Sequence, residues 1–141
     1  MFKSFRLLLA GSVLAGSVLA ACSAPAPSSV DVSLTTYKIT LSSEVAKAGQ
    51  VTFHVKNDAK DLVHEFVVFK TDLSADKMPM NDQGLVDEES SEVTAIDEVE
   101  DLQQGQSQDL VVTLDPGHYV LLCNTAGHYV GGMHIDLTVT P

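Results

Sequence analysis

A β-sandwich is the fold this sequence predicts: an all-β Greek-key arrangement of about seven or eight strands with an acidic, partly helical insertion. Two observations predict it. From residue 30 onward, apolar and polar residues alternate with a period of two in one segment after another. Between the segments stand turn signals such as Asn57-Asp58 and Asp115-Pro116-Gly117. Val30, Val32 and Leu34 alternate with Asp31, Ser33 and Thr35, and Tyr37, Ile39 and Leu41 carry the period on. Val51 to Lys56 repeats it, whereas Leu62 to Phe69 is more continuously apolar, as suits a strand buried on both faces or at the centre of a sandwich. Further strands are predicted for Gln108 to Leu114, His118 to Cys123 and His134 to Thr140. Between Thr71 and Gly105 the alternation fades. A Met78-Pro79-Met80 break and the spacing of Val93, Ile96 and Val99 predict one or two helical turns and a short strand there. No internal repeat or nucleotide-binding glycine loop interrupts this pattern.

The first residues read as an export signal. Lys3 and Arg6 precede an apolar run, Leu7 to Ala21, that is too short and too rich in small residues to span a bilayer. The run ends in Leu19-Ala20-Ala21-Cys22, which resembles the lipobox of bacterial lipoproteins. That resemblance implies a signal peptide over residues 1–21, with a lipid on Cys22 anchoring the exported chain to a membrane facing the periplasm or cell exterior. Two acyl chains there would anchor it stably without a transmembrane helix. Residues 22–29, proline-rich and small, suit a semi-extended leash, and a single domain is expected over residues 30–141.

Charge and cysteine content exclude several functions. Without Lys3 and Arg6 the chain has six lysines and no arginine against nineteen acidic residues, a net charge near −13. Nucleic acid is an unsuitable partner for such a surface. Acidic residues crowd between Asp82 and Asp101 with no Lys or Arg among them, either as a solvated loop or as a docking surface for a basic partner. Cys123 is the single cysteine of the domain, so no intrachain disulfide framework is available.

Cys123, His128 and Met133 stand on one short stretch near the C-terminus, and His64 lies upstream. Two imidazoles, a thiolate and a thioether form the ligand list of a blue-copper electron-transfer site. Strand parity places Tyr119, Leu121 and Cys123 on one face, with His118, Val120 and Leu122 on the other. Met133 begins the inward row Met133, Ile135, Leu137 and Val139. The nine residues between Cys123 and Met133 therefore form a loop with His128 at its middle, and His64 supplies the fourth donor from a neighbouring strand. His54, His118 and His134 fall on outward parity and read as surface histidines. Neither a Ser/His/Asp set nor paired catalytic carboxylates are discernible, so no enzymatic activity is expected.

The segment Pro116 to Cys123, with Gly127-His128 and Gly132-Met133, resembles the copper loop of cupredoxins. Four residues separate Cys123 from His128 and four more separate His128 from Met133, a spacing similar to that of auracyanin and rusticyanin. Asn57 and His64 to Val68 are similar to the strand that carries the family's first histidine. The resemblance implies one type 1 copper held by His64, Cys123, His128 and Met133, with Asn57, Glu65 and Asn124 around it. It implies single-electron transfer through an exposed edge of His128, surrounded by Ala126, Gly127, Tyr129 and Val130, to a redox protein such as a basic c-type cytochrome. Glu65 stands where the family commonly has Asn or Ser. Ionised, it would lower the reduction potential; protonated by burial, it would donate a hydrogen bond; either way a pH-dependent potential is expected. A copper-trafficking or copper-resistance protein with no redox duty is the alternative, with Met78 and Met80 as thioether donors. The two differ in how readily copper exchanges.

Overall fold

The computed structural model describes residues 26–141; the export segment, Cys22 and the first residues of the leash lie outside them. Among the described residues nine strands form two packed sheets. The first sheet contains β1 (Ser28–Thr35), β2 (Lys38–Leu41), β4 (Gly49–Asn57) and β7 (Ser107–Leu114), in the order β2-β1-β4-β7. The second contains β3 (Val45–Lys47), β5 (His64–Lys70), β6 (Thr94–Leu102), β8 (Gly117–Leu122) and β9 (His134–Thr140), in the order β3-β9-β8-β5-β6. Neighbours such as β4 and β7, or β5 and β8, are distant in the chain, because the connections cross between sheets in Greek-key fashion.

The period of two is what builds the core. Val30, Val32 and Leu34 of β1, Phe53 and Val55 of β4, Phe66 and Val68 of β5, and Tyr119 and Leu121 of β8 all face the space between the sheets. Phe53 and Phe66 meet there at a ring separation of 5.5 Å. Each such buried side chain contributes about 1.5–3 kcal/mol.

The second sheet is covered on its outer face as well. Val67 and Phe69 of β5 and Val120 and Leu122 of β8 are buried beneath the 71–93 segment, against Ala75, Met78, Val86 and Val93. Parity alone turned Val120 and Leu122 away from the core; they lie instead in a second core that the segment supplies. The segment contains a single 3-10 turn, Ala75–Lys77, and an isolated bridge between Met80 and Val86.

The spacing of Val93, Ile96 and Val99 does not mark a helix. Ile96, Val99 and Leu102 lie on β6, whose pairing with β5 shifts register twice, between His64 and Phe66 and between Val68 and Phe69. Each shift inserts one extra β6 residue, so inward positions that would recur every two residues recur every three. One bulge sets both Glu100 and Asp101 against Glu65, with Asp101 at a φ of 50°. β6 is an edge strand, and its exposed Asp97, Glu100 and Asp101 discourage pairing with another chain.

Candidate metal centre

His64 opens β5, Cys123 follows β8, and the 123–133 connection joins β8 to β9. Because β5 and β8 are hydrogen-bonded neighbours, with Val67 opposite Leu122, the start of one strand meets the end of the other at one edge of the sandwich. The connecting loop is wound by its own backbone. His128 N–H donates to the Thr125 carbonyl at 2.9 Å, Gly131 N–H to Gly127 at 3.0 Å and Met133 N–H to His128 at 3.1 Å. Cys123 N–H donates to the Met133 carbonyl at 3.0 Å and closes the loop's base. His128 is thereby folded back over Cys123.

Three donor atoms converge. Nδ1 of His64 lies 3.2 Å from Nδ1 of His128, and Cys123 Sγ lies 3.3 Å from the His128 nitrogen and 3.8 Å from that of His64. Donors each roughly 2.0–2.3 Å from a shared trigonal metal stand about 3.5–3.8 Å apart, so the triangle is close to metal-ready as it stands. Its surroundings are dry: His64, Cys123 and Met133 are fully buried and His128 is 6% exposed. Burial, and then the neighbouring His128, holds the His64 pKa down to about 4, and burial lowers His128 too, so both rings are neutral and can offer lone pairs. Nε2 of His64 is buried without a partner, and its Nδ1 is aimed at two other donors. A neutral Nδ1 whose lone pair faces only another imidazole nitrogen and a sulfur is what a cation at the centre of the triangle would satisfy; Nε2, on the far side of the ring, is not touched by it. The residues therefore fit a soft, thiolate-binding metal.

Two groups address the sulfur. The Glu65 backbone N–H donates to Sγ at 3.3 Å, and the Thr125 hydroxyl stands 3.4 Å away. Burial pushes the Cys123 thiol up, while both of these contacts favour the thiolate. The Glu65 side chain turns toward Glu98 and Glu100 on β6. Burial, then its hydrogen bond to Glu98, pushes its pKa up to about 8. Of the two states open to it, the protonated one is favoured at neutral pH.

No family model and no curated relative matches the chain. Solved structures do. Dithionite-reduced auracyanin from Roseiflexus castenholzii is 22% identical, with 81% of this chain and 98% of that one covered at a TM-score of 0.60. Auracyanin A from Chloroflexus aurantiacus is 18% identical over 82% and 100% of the two chains, at 0.57. Rusticyanin from Thiobacillus ferrooxidans is 13% identical over 83% and 79%, at 0.63. The chain has the cupredoxin fold.

Within this cupredoxin fold the predicted residues take different positions. Met133 is buried at the base of the loop, its backbone bonded to both Cys123 and His128. Asn57 makes its side-chain hydrogen bonds to residues outside the loop. Its Nδ2 donates to the Leu62 and Leu102 carbonyls, both at 2.8 Å, and so fixes the chain entering β5 just before His64. Asn124 turns from the donors toward Val86 and Glu88. His128 keeps only a small exposed part, 6%, and the Tyr37 ring packs against it edge-on at 5.3 Å. Tyr129 is turned inward as well, while Val130 is 69% exposed. His54, His118 and His134 stay outside the cluster, with His54 on Asp109 and His118 on Asp136. Sequence reasoning missed Tyr37 and Thr125. Thr125 had a weak signal, a hydroxyl two residues after the thiol; Tyr37 had none, being ninety-one positions from His128.

Proposed function

We propose that this protein is a one-electron carrier that holds a single copper with His64, Cys123, His128 and Met133. One observation carries the reading: two imidazole nitrogens and a thiol sulfur, 3.2–3.8 Å apart, converge in a buried pocket between rigid strands. Copper held there would supply Cu(I)/Cu(II) chemistry. The strands and the bonded loop keep the donors in place, so little rearrangement accompanies a change of charge. Auracyanin A is described as a "blue" copper protein, and its likeness in fold supports the same reading. The likeness in fold to auracyanin and rusticyanin favours a carrier over an enzyme.

Partners would touch the His128 end through Tyr37 and Val130. The acidic 82–101 stretch, with Glu89, Glu92, Asp97, Glu100 and Asp101 exposed, would steer a basic redox protein such as a c-type cytochrome, at a rate that falls with salt. A lipid on Cys22 would tether the domain on the periplasmic or outer side of a membrane. Among the described residues no helix is long and apolar enough to cross one.

The trafficking alternative is disfavoured by Met78, which is 5% exposed, packed in the second core, and bound through its N–H to Tyr129. Only Met80 is offered to solvent. The test is a visible spectrum after Cu(II) loading, beside Cys123→Ser. An intense thiolate charge-transfer band, bleached reversibly by reductant and lost in the variant, is expected. A colourless protein, or copper surrendered at once to a chelator, would shift the function to trafficking or away from copper.

A further inference from the structure

The residues that follow two of the donors anchor the loop to something outside it. Tyr129 follows His128, and its hydroxyl accepts from Met78 N–H at 3.0 Å and donates to the Ala75 carbonyl at 2.9 Å. Asn124 follows Cys123. Its Oδ1 accepts from Val86 N–H at 2.8 Å, and its Nδ2 donates to the Val86 carbonyl at 3.1 Å and to Glu88 Oε1 at 2.8 Å. Both side chains are 8% exposed, and both run away from the donors into the 71–93 segment. That segment is itself bound to the sheet, for Ala75 N–H donates to Asp136 Oδ1 at 2.9 Å and the Thr71 carbonyl meets His118 Nδ1 at 2.7 Å.

The loop needs such anchors. It contains Gly127, Gly131 and Gly132, the first and last at φ of 82° and 97°, and glycine loses the most backbone freedom on ordering. The loop's internal hydrogen bonds wind it but do not orient it against the sheet. We propose that Tyr129 and Asn124 are positioning residues that clamp the 123–133 loop to the 71–93 segment, and that they hold Cys123 and His128 at their converged spacing before any metal arrives. The purpose of the clamp rests on the copper reading; its existence can be tested without metal.

The test is hydrogen exchange on the metal-free protein at the Gly131, Gly132 and Met133 amides. Tyr129→Phe keeps the ring and removes the hydroxyl, leaving two backbone groups unpaired. It should raise exchange at these amides by about tenfold while β4 and β7 stay protected, and Asn124→Ala should do the same. Val120→Ala, in the same second core but off the loop, should lower overall stability without singling the loop out. In the Cu(II)-loaded protein, Tyr129→Phe should shift the charge-transfer band and release metal to a chelator several-fold faster, and Val120→Ala should do neither. If Tyr129→Phe and Asn124→Ala match Val120→Ala in exchange and in spectrum, the clamp is overturned. A wild-type protein that gains no thiolate band would sink the copper reading, and the exchange comparison would still decide the clamp.

Discussion

Gly131 has no room for a side chain, and the reason lies on the β1–β2 turn. A Cβ at this position would stand 2.8 Å from Tyr37 Cδ1, 3.1 Å from the Gly127 oxygen and 3.2 Å from the His128 oxygen. Carbon atoms rest about 3.5–4.0 Å apart, so the Tyr37 ring would have to retreat by roughly 0.7 Å or more. It cannot do so freely. The ring packs edge-on against His128, and its backbone sits at φ 54°, in the left-handed region. Overpacking costs about 1–3 kcal/mol, and losing an aromatic contact adds about 0.5–1.5 kcal/mol. Gly131→Ala should therefore destabilise the domain by roughly 2–4 kcal/mol in urea denaturation. Repeating the substitution in a Tyr37→Ala background isolates the clash, because the ring is then gone while the backbone contacts remain. Most of the cost should disappear there, which is a coupling of about 1.5–3 kcal/mol between the two positions. An equal cost in both backgrounds would refute the assignment of Tyr37 as the cover of His128.

Three other outcomes are expected. Leu122→Ala should cost about 2–5 kcal/mol, as much as Leu121→Ala, since both side chains are fully buried in opposite cores; a value near zero would mean that the 71–93 segment does not cover β8. His54 is raised by its 2.6 Å contact with Asp109. The stabilisation from this pair should be complete below the ordinary pKa of 6.5 and lost as pH rises through the raised value. The stability difference between wild type and Asp109→Asn should accordingly shrink as pH rises above 6.5, and a difference flat in pH would remove the pair from the account. Thr125→Val takes away a hydroxyl that draws charge from the Cys123 sulfur, so redox titration of the copper-loaded variant should show a lower potential than wild type; an unchanged potential would deny Thr125 that role.

Much of the site was legible in the chain because two short-range rules are enough for it. Side-chain alternation puts Tyr119, Leu121 and Cys123 on one face, and a hairpin connection of nine residues must bring His128 back over the strand end. Even the pairing of His64 with the loop follows from the apolar run Phe66 to Phe69, which suits a place beside another buried strand, and β5 lies next to β8. The 71–105 stretch was misread because a bulge adds a residue to one strand without marking the sequence. Ile96, Val99 and Leu102 recur every three positions only because β5 and β6 slip past one another twice.

By itself the sequence determined the alternating strands, the turns between them, the donor set and its order along the chain, since all of these depend on neighbours within a few residues. Only the tertiary structure decided what lies over and around the donors. Tyr37 covers His128 from the opposite end of the chain, and Asn124 and Tyr129 bind a segment more than thirty-five residues upstream. The pKa of the Glu65 carboxyl is raised first by its burial and then by the Glu98 that β6 brings alongside it. Such contacts join residues remote in sequence, and burial, orientation and proton affinity are set by what the folded chain brings near.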